Sequence, residues 1–98
     1  MKYIMEMVKR IDEEINDAQT YAEKYLECKA KDSPFAQRWK EMAGDELRHA
    51  QYIHDYAVAE IDKLRKVYTP PVAMQEEWDK AHKEYVERVA VTRQMLTM

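Results

Sequence analysis

Residues 44–55 read GDELRHAQYIHD, and within them Glu46 and His49 stand three positions apart. On a helix that spacing puts a carboxylate and an imidazole on one face, where both can reach one metal ion. The donor types suit a divalent metal, since carboxylate oxygen and neutral imidazole nitrogen both ligate first-row ions. Spacing alone is weak support: three His and 19 acidic residues in 98 give about 0.6 acid-x-x-His matches by chance. Two occur, Glu46/His49 and Asp79/His82.

Register distinguishes the two. Phe35, Trp39, Met42, Glu46, His49, Ile53, Tyr56 and Glu60 follow alternating steps of four and three, the rhythm of one helix face. Glu46 and His49 stand where Leu or Met would be expected, so both are expected to point inward. An unpartnered buried carboxylate costs several kcal/mol. Either a side-chain network or a cation should compensate it.

A complement lies upstream. Met7, Ile11, Glu14, Ala18, Tyr21 and Tyr25 keep the same rhythm, which places Glu14 at the edge of a buried stripe; Glu13 and Asp17 are the competing carboxylates. Ala18, Ala22, Ala43, Gly44 and Ala50 are small enough to let two helix backbones approach or to leave room for an ion. Gly44, about 1 kcal/mol worse than Ala inside a helix, is read as a site of close helix packing.

These residues need long helices to hold them. Hydrophobic residues make up 46% and charged residues 36%, with one Gly and three Pro, a composition that favours an all-α chain. KDSPF at 31–35 and YTPP at 68–71 each offer a hydroxyl N-cap followed by Pro, dividing the chain into helices over 2–30, 34–67 and 72–97. Ile4, Val8, Ile11, Ile15, Ala18, Ala22 and Tyr25 form the first helix's apolar stripe. In the second, Ala43, Leu47, Ala50, His54, Ala57, Ile61, Leu64 and Tyr68 form another. The short connection forces these two antiparallel, giving a long helical hairpin over 2–67. The third helix, marked by Met74, Trp78, Tyr85, Val89 and Leu96, completes a single domain over 1–98.

Several other residues read as structural. His54 lies about 140° around the helix from His49 at 100° per residue, so the two cannot easily share an ion, and both His54 and His82 are expected to be packed imidazoles. Tyr21 is first a packing residue. Cys28 has no second Cys to pair with, so a reducing, cytoplasmic setting fits. A net charge of −3 with dispersed Lys and Arg argues against nucleic-acid and membrane-surface partners. The N-terminal MKYIMEMVKRIDEE lacks the apolar core of a signal peptide.

Glu14, Tyr21 seven positions on, and E46-L-R-H49 after a helix-turn-helix connection together resemble the first half of a ferritin-like di-iron protein, as in rubrerythrins and ferritins. The likeness covers roughly residues 10–62, and with only one such half in the chain its architecture is most similar to the encapsulated ferritins. The resemblance implies Glu14 as the helix-one carboxylate, with Asp17 or Glu13 as alternatives. It implies Glu46 as the carboxylate bridging the metals, His49 as the nitrogen ligand and Tyr21 as the aromatic residue beside the site. It further implies a homodimer, or a higher homo-oligomer, that completes a four-helix core around two iron ions, whose charge four carboxylates balance. The expected activity is ferroxidation, with two ferrous ions each giving one electron to O₂. A protein shell is a further partner class that the likeness brings, although the C-terminal RQMLTM has no obvious shell-targeting tail. Two other readings stand beside it: a metal-free helical assembly module with a buried Glu–His network, and a non-redox structural site holding Zn or Mn.

Overall fold

The structure is a computed structural model that describes residues 2–98. It is all-α: helices α1 (Lys2–Ala30), α2 (Ala36–Arg65) and α3 (Val72–Thr97) follow in order, and no strand occurs among the described residues. α1 and α2 form the antiparallel hairpin. α3 runs back alongside α1 and packs chiefly on it, so that Trp78 joins Ile4 and Met7 at one end while the Lys29 ammonium donates to the Met98 carbonyl at the other. The result is an up-down-up bundle with extents of 55 × 18 × 17 Å.

α1 ends by a recognisable device. The Ser33 N–H donates to the Cys28 carbonyl at 2.8 Å and the Asp32 N–H to the Lys29 carbonyl at 3.1 Å. Asp32 sits between them at φ 53°. This is the Schellman closure, with Asp in the left-handed position that usually falls to Gly. The Ser33 hydroxyl then accepts from the Phe35 N–H at 3.2 Å. Ser33 therefore closes a turn over 33–35, and α2 begins at Ala36, two residues later than the sequence suggests.

The Thr69 cap does not form. Pro71 is the residue before α3, with φ −57°, ψ 143° and no side-chain cap bond. A residue preceding Pro is driven out of the helical region, which keeps Thr69 and Pro70 from opening a helix; Pro71 is itself extended, and α3 starts at Val72, where the sequence puts it. At the other end of that connection the Val67 and Tyr68 N–H groups bond back to the Leu64 carbonyl, each at 3.1 Å. They form a turn, and α2 proper stops at Arg65.

The core is a stack along the hairpin. Ile11, Ile15, Ala18, Ala22 and Tyr25 of α1 meet Ala43, Leu47 and Ala50 of α2, with Val89 and Leu96 closing from α3. Ile4, Met7, Ala57, Ile61 and Trp78 form the second cluster. In the first turns Ile4 and Met7 are buried, whereas Val8 is only half-buried. Ala18, Ala22, Ala43 and Ala50 expose no surface, so methyl groups alone separate the two backbones there. No helix among the described residues is long and apolar enough to cross a membrane.

Candidate metal centre

α3 covers one side of the hairpin. Its Arg88 guanidinium pairs with Asp12, 3.9 Å away, and hydrogen-bonds Asn16 and Gln19 on that flank of α1. On the other side, two lines at seven-residue intervals border the groove: Met7, Glu14, Tyr21 and Cys28 on α1, and Trp39, Glu46, Ile53 and Glu60 on α2. Beyond the second line stands a third, Phe35, Met42, His49 and Tyr56, and all four of these side chains are exposed.

In the middle of this open face, Glu14, Glu46 and His49 each present a ligand atom, all within 4.8 Å of one another. The His49 Nδ1 lies 3.7 Å from Glu46 Oε1 and 3.8 Å from Glu14 Oε2. The two carboxylates are mostly covered, with 12% and 20% of the Glu14 and Glu46 side chains exposed. His49 is not: 53% of its side chain meets solvent. The expectation that both residues point inward therefore holds for Glu46 and fails for His49, because the helix across the groove ends its cover at Glu46. Three residues on from Glu46, His49 is turned about 60° further round the helix at 100° per residue, which brings it to the rim.

The electrostatics follow from that closeness. Glu46 is pushed up to about 7, first by a hydrogen bond with Glu14, then by burial and by repulsion from the same carboxylate. His49 opposes the shift and Asp17 adds to it slightly. Below about pH 7 Glu46 therefore carries a proton beside the Glu14 carboxyl.

Glu14 is the helix-one carboxylate that joins the cluster. Glu13 is half exposed and pairs with Arg10 at 3.8 Å, and Asp17 is exposed, contributing charge from outside the cluster. The Tyr21 ring lies on Trp39 with centroids 5.7 Å apart, two turns from Glu14. One participant was missed by the sequence reading: Arg10, whose Nε approaches Glu14 Oε1 to 3.5 Å. Its signal was present, since Arg10 and Glu14 are four apart on one helix.

Gly44 does not do what its size suggested. A Cβ built on it meets nothing within 4 Å. Two residues before Glu46, it points about 200° away at 100° per residue, off the groove altogether. The close approach is made by the four buried alanines instead.

His54 is packed as expected, whereas His82 lies exposed against it, and the two are joined: His54 Nε2 and His82 Nδ1 are 2.9 Å apart. The His54 ring stacks on Tyr85 with centroids 4.4 Å apart.

No protein-family model matches the chain, and neither the curated proteins nor the solved structures yielded a match. The chemistry therefore rests on the residues themselves. One chain brings two oxygen donors and one nitrogen donor together on an open face, a partial ligand set for a divalent ion, which water or another chain must complete.

Proposed function

We propose that this chain is a ferritin-like iron-binding protein that pairs with a second copy across the groove face, shares a di-iron centre with it, and oxidises ferrous iron with O₂. The observation that carries the reading is the convergence of Glu14, Glu46 and His49 on the side of the hairpin that α3 leaves open. Two copies related by a two-fold axis bring four carboxylates and two imidazoles into one four-helix core, enough ligands and negative charge for two divalent ions.

In this reading Glu14, Glu46 and His49 hold the iron, which is substrate and electron donor to O₂. Glu46 gives up its proton on loading, so that both carboxylates offer charge. Phe35, Met42 and Tyr56, exposed in the single chain, exclude water from the centre once a second copy covers them. Tyr21 and Trp39 wall the groove two turns away.

A specific observation favours a second reading. The Arg10 ion pair with Glu14 and the raised protonation of Glu46 beside it compensate the covered carboxyls without any ion, as a metal-free assembly module requires. An anaerobic ferrous titration followed by admission of O₂ separates the two. Saturation near about one iron per chain, with rapid oxidation lost in Glu46→Ala and His49→Ala, supports the ferroxidase. Saturable binding without O₂ reactivity points to a structural site, and no saturable binding to the assembly module.

A further inference from the structure

The second imidazole cluster lies on the opposite side of the hairpin from Glu46, where α3 meets α2. Apart from packing on α1, α3 has few contacts; it meets α2 through the rings of His54, Trp78, His82 and Tyr85 and through the Arg65–Gln75 hydrogen bond. We propose that His54 and His82 form a separate mononuclear site for an imidazole-preferring ion such as Cu²⁺ or Zn²⁺, one that clamps α3 onto the hairpin.

Three observations carry this. The first is separation. Nitrogen ligands about 2.0–2.1 Å from one ion stand about 2.9 Å apart at a right angle and about 3.3 Å apart at a tetrahedral one. The His54 Nε2 to His82 Nδ1 distance is 2.9 Å. An ion can replace the shared proton with a tilt of the two rings, and the exposed His82 is free to make most of it.

The second is orientation. His54 Nδ1 faces Asp55 Oδ1 at 3.2 Å. A carboxylate there takes the Nδ1–H and leaves the Nε2 lone pair aimed at His82, the arrangement that fixes the tautomer of metal-bound histidines. His82 then needs only to carry its own proton on Nε2, which frees Nδ1 with no change in net charge.

The third is space. A cavity of about 10 Å³ adjoins the pair, the room of about one water molecule. Its wall draws on all three helices, with Asp12 from α1, His54 from α2, and Trp78, His82 and Tyr85 from α3. Asp12 lines the same cavity and is paired with Arg88, 3.9 Å away, so the two imidazoles are the converging donors and water completes the set. The donor set is richer in nitrogen than the Glu14 centre, which suits Cu²⁺ and Zn²⁺ over harder ions.

The test uses the full chain carrying Glu14→Gln and Glu46→Gln, which disables the groove site and makes the outcome independent of the proposed ferroxidase. Cu²⁺ is titrated with melting temperature and electron paramagnetic resonance as readouts. The expected result is one ion per chain, hyperfine structure from two nitrogens and a raised melting temperature. All three should be lost on adding His82→Ala, a surface change that circular dichroism will show to be folded, and affinity should fall roughly ten-fold in Asp55→Asn. Absence of saturable binding, a single-nitrogen signal, or binding unchanged by His82→Ala overturns the site. Should the doubly substituted chain prove unstable, the same comparison between the unsubstituted protein and His82→Ala reads as the loss of one equivalent or of none.

Discussion

The carboxyls of Glu46 on α2 and Glu14 on α1 converge across the groove, with ligand atoms within 4.8 Å of each other, and this closeness raises Glu46 to about 7. Its ordinary value, and so its unfolded one, is 4.5. The folded state therefore binds the proton more tightly, and the stabilisation is full below about pH 4.5 and is lost as pH rises through about 7. In chelator, the metal-free protein should melt at a lower temperature at pH 8 than at pH 5.5. Glu46→Gln keeps a donor to Glu14 without the titration, so its melting temperature should be flatter over that window and exceed that of the parent protein at pH 8. Equal pH slopes for the two proteins would contradict the raised Glu46.

Arg10 bears on the same pair from the solvent side. Its Nε, 3.5 Å from Glu14 Oε1, occupies one carboxylate oxygen and places a positive charge where a cation must enter. Arg10→Gln should tighten Mn²⁺ or Co²⁺ binding several-fold at low salt. The gain should shrink at high ionic strength, where exposed charges are screened. Stability should change by less than about 1 kcal/mol, as for other exposed ion pairs. Calorimetric titration at two salt concentrations checks both statements; weaker binding in the variant would mean that Arg10 orients Glu14 for the ion.

The helices were legible because apolar periodicity reports burial directly: Ile11, Ile15, Ala18, Ala22 and Tyr25 are buried where the rhythm puts them. Periodicity gives an angle around a helix and says nothing of what covers it. That is why Glu46 and His49, adjacent in register, differ so much in exposure, and why α3 could settle on the far side of the hairpin without a signal in α2. The start of α2 falls two residues later than capping chemistry suggests, because Ser33 uses its hydroxyl on a turn over 33–35; α3 starts at Val72, where the sequence puts it, although Thr69 does not cap it. The pairing of His54 with His82, 28 positions apart, has no local spacing to reveal it.

Gly44 offers a clean measure of helix propensity. An added methyl meets no atom within 4 Å, so Gly44→Ala should gain the full difference of about 1 kcal/mol. In a chain of this size that corresponds to a rise of about 4–8 °C in melting temperature. Metal affinity should be unchanged, since position 44 faces away from the groove. A loss of stability would reveal that another chain packs against this turn of α2.

Met42 tests the pairing of chains. It stands one heptad before His49 in the exposed line Phe35, Met42, His49, Tyr56, with 41% of its surface open, so a charge there is solvated in the single chain. Met42→Glu should leave helix content intact and change single-chain stability by no more than about 0.5 kcal/mol. In a four-helix core the same carboxylate would be buried without a partner, at a cost of several kcal/mol. Sedimentation should then show the variant as a single chain at concentrations where the parent pairs. Iron oxidation should fall with pairing although Glu14, Glu46 and His49 are all present. Oxidation retained by a single-chain variant would mean that one chain's three ligands suffice, and that the open face serves another purpose.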